Sequence, residues 1–555
     1  MKKNFVKSRW FFTMLLFVTT MIMPSMMLAE ESITPTRPKG DGKTEPYQIS
    51  NAAELYWFAR LVNGKLENEE QDLSANAILT SNIIVNTGVL DENKNLASKG
   101  DLTEWEPIGT RWSPYTGTFD GKGYTISGLY FNNPTSSYVG LFGCIGADGK
   151  ISNVGVLDSY FQFSALGGGV CGVNYGTVRD CKNTGSVRGF STIGGVCGLN
   201  EKGGIIENSF NEGTVSGTGD NAQQVGGVSG YNNGTIKSCY NTASVSGQES
   251  VGGVCGFNSV GTTTNCFNEG TVSGKNIVGG VCGNGCGVAT TNCFNEGTVS
   301  GQSHVGGVCG YDYYYDGALT NCYYLSDTAT GGINGKDVSG KAEKKPKEQF
   351  ESGEVAWLLN GKGVGEQVWG QLLGRDQSPV PGSAYKVIKA AKGDKDANDH
   401  YTYWATFSNL TNDATLSVQS GRTLNVYNAT VSGGKLTLTE RNNQVAKEEG
   451  VLLKTDGEYV NAKVNMINEL TAASSDENNL VATPAEAQTV TATGYILYRL
   501  TYNDAKTKAG LGFYLGVDKE NNSSDGTSLK ATPGKAYLKV SEKEAKDPSS
   551  AALAR

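Results

Sequence analysis

Read for the period of its apolar positions, the chain shows helical spacing at two places and strand-like runs elsewhere. Leu55, Phe58, Ala59 and Val62 share one helical face. Asn51 can cap that helix, Glu54 three positions on is its reciprocal partner, and Gly64 supplies a stop. Pro346 can open a second helix that sets Val355, Leu358 and Leu359 on one face and ends near Gly361. A lone amphipathic helix at either end of a β-domain is most simply a cover for an exposed edge. Ala77 to Val85 reads as strand, as does Tyr124 to Leu129 after the turn Asp120-Gly121-Lys122-Gly123. That turn lacks the run of acidic ligands a calcium loop needs. Beyond Pro379-Val380-Pro381-Gly382 come further strand-like runs: Tyr403 to Phe407, Thr423 to Tyr427, Lys435 to Thr439, Val451 to Leu453, Tyr495 to Leu500 and Lys535 to Val540. Separated by Gly, Asn and Asp turns, these predict a β-sandwich-like region.

Between the helices a glycine-bounded core recurs, beginning at Gly140, Gly169, Gly195, Gly227, Gly253, Gly280 and Gly307, with steps of 29, 26, 32, 26, 27 and 27 residues. The period is too short for a propeller blade and suits one coil of a solenoid. No coil can bury an apolar face alone, whereas stacked coils share a continuous core. Parallel crossovers are right-handed, so the expected fold is all-β: a right-handed parallel β-helix with helical caps, followed by the sandwich-like region. Seven coils would extend about 30 Å at the parallel-strand spacing. The glycines are expected to turn tight corners and to admit close backbone approach.

Stacking the coils produces columns. Asn208, Asn265, Asn292 and Asn321 fall in one, with Asp180 and Ser238 in the other coils; Asn183, Asn211, Asn241, Asn268 and Asn295 fall in another. Asparagine tolerates left-handed backbone and bonds its own neighbours, so both columns are expected to be turn ladders. Phe210, Tyr240, Phe267, Phe294 and Tyr323 form an aromatic column, read as packing.

All twelve cysteines lie between Cys144 and Cys322. Five share the core column (Cys171, Cys197, Cys255, Cys282, Cys309) and five a second (Cys181, Cys239, Cys266, Cys293, Cys322). Cys144 and Cys286 are off-register. Column neighbours at the coil spacing are within disulfide reach. Yet Cys197 shares its coil with Ser209 and Ser229 shares its coil with Cys239, so the replacements do not pair. Buried thiol ladders acting as small hydrophobes are favoured over disulfides. Zinc lacks its ligand pattern, since Cys282 and Cys286 are a lone pair.

The units GGVCG…NCFNEGTVSG resemble the GLUG repeat of bacterial surface proteins. The pieces PYQISNAAELYWFARLVNG, WEPIG, FDGKGYTISGL, EQFESGEVAWLLNG and VWGQLLG resemble the flanks of such arrays in Bacteroidetes. The resemblance spans roughly residues 46–381. It implies an exported, cell-surface β-helix with a role in adhesion or interaction, and no known ligand.

Composition narrows the function. Hydrophobic residues make up 38% of the 555, enough for packed cores, and 75 glycines with 13 prolines exclude collagen-like and Pro-rich chains. Lys2, Lys3, Lys7 and Arg9 precede an apolar run ending in small residues at Ala29, the form of a secretory signal peptide over residues 1–29. Residues 30–46 then read as linker, 47–340 as the array, 341–382 as helical cap and linker with basic Lys341 to Lys347, and 383–555 as the C-terminal β-rich region. Net charge is −8, and loss of the four leader cations lowers it to −12. With no basic stripe, nucleic acid is excluded as a partner, and no later apolar run spans a bilayer.

Catalysis has little to stand on. The chain has two histidines, His304 and His400, and no HExxH pair. Glu212, Glu269 and Glu296 recur at a turn position, as solvated turn residues do. No catalytic, cofactor or metal residues are assigned. The insertion Tyr311, Asp312, Tyr313, Tyr314, Tyr315 is the best candidate for ligand contact, because tyrosines give adaptable recognition surface. The expected partner is a host or bacterial surface protein or glycan. The alternative is a carbohydrate-binding or polysaccharide-cleaving β-helix.

Overall fold

The computed structural model describes residues 33–97, 101–285, 289–312, 319–362, 367–409, 412–432 and 435–464, and beyond these mainly the strands up to residue 553. Residues 1–29, expected to be a leader, and Cys286 lie outside the described residues.

Residues 47–345 wind into a parallel β-solenoid of about ten turns with five sheets along its length. One coil contains the strands Ser229–Asn232, Thr235–Lys237, Tyr240–Asn241, Val245–Ser246 and Glu249–Gly252. Each lies parallel to its counterpart in the next coil: Ser229 opposes Cys255, Thr235 Thr262, Tyr240 Phe267, Val245 Val272 and Glu249 Asn276. Three of the sheets have seven strands, one per glycine core, and two have ten. The expectation of seven coils was therefore short. The strands Tyr47–Ile49, Ala77–Leu79 and Thr118–Asp120 begin one long sheet without the repeat motif, and Ala342–Lys345 ends the other in register with Cys322–Leu325. The basic segment from Lys341 is thus mostly the last strand, not linker. The segment before Tyr47 is also tied down: Lys39 bridges Gln48, and the Asp41 carboxylate accepts the amides of Lys43 and Glu45.

The interior is built from columns of small branched residues. Val170, Val196, Val228, Val254, Val281 and Val308 are all buried, as are Ile193, Val225, Val251 and Val278. Large rings fill the core at its two ends, Tyr324 at the exit and several at the lead-in end. There the helix α1 (Ala52–Val62) lays Leu55, Phe58, Ala59 and Val62 over the first coils, with Phe58 at 6.0 Å from Tyr115 and 5.9 Å from Phe119. Asn51 Oδ1 accepts from Glu54 N at 3.0 Å, as the capping pattern predicts. The Glu54 carboxylate reaches one residue further back than expected, to the amide and hydroxyl of Ser50.

The two asparagine columns differ in kind. Asn153, Asp180, Asn208, Ser238, Asn265, Asn292 and Asn321 all have φ between 50° and 56°, so the first column is a left-handed turn ladder. The second is interior. Asn183, Asn211, Asn241, Asn268 and Asn295 are extended and fully buried, and the Nδ2 of each of the first four donates to the next coil's Oδ1 at 2.7–2.8 Å. They do fold their own turns, Asn241 Nδ2 also reaching the Ala243 carbonyl, but without left-handed backbone. A parallel ladder links Asn174, Asn200, Asn232 and Asn258 at 2.8–2.9 Å.

Glycine's part is close approach. None of the core glycines has positive φ. A Cβ on Gly253 would lie 2.1 Å from the Gly280 carbonyl oxygen, and one on Gly256 2.6 Å from the Val225 nitrogen. The second left-handed corner is carried by Tyr138, Leu166, Thr192, Gln224, Ser250, Ile277 and His304, with φ from 52° to 66°.

The exit segment forms two short helices, α2 (Lys347–Glu351) and α3 (Glu354–Leu359), parted by Gly353 at φ 91°. They pack Phe350, Val355 and Leu359 with Trp369 against the outer face of the aromatic column, at Phe267 and Phe294. Beyond lie antiparallel sheets. All six expected strands are present, in Tyr401–Ser408, Leu424–Ser432, Lys435–Arg441, Gly450–Thr455, Tyr495–Asn503 and Ala536–Ser541. A four-stranded and a five-stranded sheet share one cluster containing Ile388, Phe407, Leu416, Val426, Leu453 and Val460.

Candidate functional site

Tyr311 lies within the strand Cys309–Asp312 and is not an isolated insertion residue. Strand pairing aligns it with Asn284, Phe257, Tyr231, Leu199 and Val173, one residue per coil. Leu199, Tyr231, Phe257, Asn284 and Tyr311 are half-buried, whereas Val173 at the head of the column and the flanking cysteines and asparagines are buried. The Tyr231 and Phe257 rings stack at 4.9 Å, and His304 of the second left-handed column meets the Tyr311 ring edge-on at 5.1 Å. At the lead-in end, a tight turn closed by hydrogen bonds between Thr110 and Ser113 presents Arg111 and Trp112. The Arg111 guanidinium lies 4.9 Å from the Trp112 ring and 6.0 Å from that of Tyr138. Trp112 is 84% exposed and Tyr175 42%. The flank therefore displays Trp, Tyr and Arg, the residue types that dominate binding energy at interfaces.

Asp312 does not belong to that surface. It is 2% exposed and stands in the register of the interior Asn174–Asn258 ladder, through Gly285. Alternation along the strand turns it inward next to an outward Tyr311. Tyr313, Tyr314 and Tyr315 lie outside the described residues.

The cysteine columns are in register as expected. Cys171 opposes Cys197, and Cys255, Cys282 and Cys309 follow one another. The eleven described cysteines are buried free thiols. They are more than small hydrophobes. In the second column Cys181, Cys239, Cys266, Cys293 and Cys322 donate to the carbonyl two residues earlier, at 3.1–3.4 Å. Ser209 makes the same bond to Glu207 at 2.9 Å and accepts the Cys181 amide at 3.1 Å. In the core column Cys197 and Cys309 bond the carbonyl two residues later, as Ser229 does. Ser209 and Ser229 keep the hydrogen bond that cysteine makes in the same slot, which explains the unpaired serine replacements. Burial pushes the Cys144 thiol up to about 11 and the Cys181 thiol up to about 12, so these two stay protonated at neutral pH.

The aromatic column stacks at 4.5–5.1 Å from Phe210 to Phe294 and is covered at its far end by the exit segment. Of the recurring acids, Glu296 hydrogen-bonds Ser378 of that segment. His304 and His400 sit in different parts of the fold, on the array and in the C-terminal hairpin. Among the described residues no group of three His, Cys, Asp or Glu could hold a metal ion, and no helix is long and apolar enough to cross a membrane. Sequence reasoning missed a polar groove of about 370 Å³ lined by Ser246, Gln248, Ser273, Lys275 and Gln302. Its signal was Ser-Gly followed by Gln or Lys in three successive units, at residues 246–248, 273–275 and 300–302.

No protein-family model matches the chain. Over 77 residues it is 38% identical to a candidate Gly-rich membrane protein of Evansella cellulosilytica, covering 13% of this chain and 9% of that protein's length. Among solved structures it is similar to a candidate immunoglobulin A1 protease from Bacteroides ovatus, at 19% identity, with 61% of this chain and 93% of that one covered and a TM-score of 0.40.

Proposed function

We propose that this chain is an exported, cell-surface β-helix scaffold of the GLUG-repeat type that engages a host or bacterial surface protein or glycan without catalysing a reaction. The observation that carries this reading is the flank running from Trp112 and Arg111 through Tyr231 and Phe257 to Tyr311, held on a solenoid whose interior is fully committed to packing. A rigid scaffold lowers the entropic cost of presenting aromatic contacts. On the same reading the coils wind right-handed and the C-terminal antiparallel sheets close as a sandwich. The location rests on the leader and on the repeat resemblance, with the membrane-protein relative as minor support.

A carbohydrate-binding β-helix is the second reading, favoured by the hydroxyl- and amide-lined groove at Ser246–Gln302. Among the described residues no carboxylate lines that groove, and cleavage would need an acid–base pair there. A panel of glycans and matrix proteins probed with purified protein, alongside polysaccharide turnover assays, tests both. Saturable binding without turnover is expected. Turnover of any polysaccharide, or no binding to any member together with unchanged adhesion of a deletion strain, would overturn the scaffold reading.

A further inference from the structure

The first C-terminal sheets hold a cleft of about 680 Å³ between the hairpin of residues 394–401 and the strand ends near Arg422 and Lys454. That volume is in the range of small-ligand sites. Its acids are already committed. Asp396 Oδ1 accepts the amides of Asn398 and His400 at 2.9 and 3.0 Å, Asp399 pairs with Lys395 at 2.7 Å, and Asp456 Oδ1 accepts the Thr423 amide at 2.9 Å. The amide of His400 is the main reason the Asp396 carboxyl stays below its usual range.

The cations are not committed in the same way. Among the described residues the Arg422 guanidinium hydrogen-bonds the Asp456 carbonyl oxygen alone, at 3.3 Å. Lys454 lies 5.4 Å from the Trp404 ring, and Lys392 at the rim lies 3.4 Å from that of Tyr401. Among the described residues none of these three forms an ion pair with a carboxylate. Around the cleft these three cations face two carboxylates outside ion pairs, Asp396 and Asp456, and Lys454 helps to keep Asp396 ionised, which leaves a small excess of positive charge in a chain of net charge −8. The rest of the lining, with Tyr403, Thr423 and Asn425, offers a ring and neutral hydrogen-bonding groups.

We infer that this cleft binds an acidic sugar residue, its carboxylate or sulfate held by Arg422 and Lys454 and its hydroxyls by the neutral groups beside them. Arg's planar fork suits a carboxylate or sulfate oxygen pair. An acidic peptide would satisfy the cations but would leave the hydroxyl- and amide-bearing wall without work. The site is separate from the solenoid flank and stands or falls independently of it.

The test is titration of the full chain with a galacturonic acid trisaccharide, a sulfated disaccharide, a neutral galactose trisaccharide and a poly-glutamate peptide. Binding of at least one acidic sugar, weakened about tenfold or more by Arg422→Gln and by Lys454→Gln and by added salt, is expected. Both substitutions are at the surface, and unchanged melting temperature confirms folding. Tight binding of the neutral sugar, binding of poly-glutamate in preference to either acidic sugar, insensitivity to both substitutions, or no binding of either acidic sugar would each overturn the inference.

Discussion

Asn241 accepts from Asn211, donates to Asn268 and holds the Ala243 carbonyl, so its replacement strands buried groups on both sides. Asn241→Leu should cost about 1–3 kcal/mol for each stranded amide, read as a fall in the denaturation midpoint; an unchanged midpoint would show that the ladder is not needed. The thiols allow a second check. Eleven of the twelve cysteines are buried and free, so they should resist alkylation until the chain is unfolded; mass spectrometry showing several native alkylations, or disulfides within the columns, would contradict this. The raised folded pKa of Cys181 also sets a sign. Unfolded thiols ionise near the ordinary value of 9.0 and Cys181 only near 12, so the folded chain holds protons that the unfolded chain has lost. This contribution is complete below about pH 9 and is lost as pH rises above it. Melting temperature should fall on that alkaline side, and less so in Cys181→Val. The sequence made these columns visible because identical residues recur at one period. It could not separate the two asparagine columns, since the same residue serves a left-handed corner at Asn265 and an extended interior ladder at Asn268. Nor did it mark the second left-handed corner, where Leu166, Thr192 and Ile277 are held by the stacked coils against their own preference.

At the scale of elements, the repeat pattern showed seven coils because only seven keep the glycine core. The lead-in strands around Ala77 and Phe119 join the same sheet with large rings and a helix filling the end, and rings leave no short-period signature. The exit helix was legible in its face but not in its break at Gly353, and its docking place was not legible at all. Trp369 sits against Phe267 and Phe294, clasped by Asn360 through two hydrogen bonds of 2.6 and 2.9 Å. Trp369→Ala removes a fully buried ring, a loss of about 3–5 kcal/mol. Hydrogen exchange should then show residues 347–362 losing protection while the coils before residue 300 keep theirs. Equal loss throughout would mean that the exit segment and array unfold as one unit.

For the whole molecule, the candidate surface was found in the sequence only at its last member. Tyr311 drew attention as part of a tyrosine cluster, while Tyr231 and Phe257 looked like unrelated residues until coil register set them side by side. Trp112 gave no repeat signal, and only its 84% exposure marks it. Interfaces concentrate energy in a few such residues, so truncating three of them should abolish binding without disturbing the fold. The most direct measurement compares the parent chain with the triple variant Trp112→Ser, Tyr231→Ser, Phe257→Ser on the same panel of matrix proteins and glycans, with melting curves of both. Binding by the parent that falls at least tenfold in a variant of unchanged melting temperature is the predicted result; binding retained by the variant, or no ligand for the parent, would contradict the assignment of this flank as the contact surface.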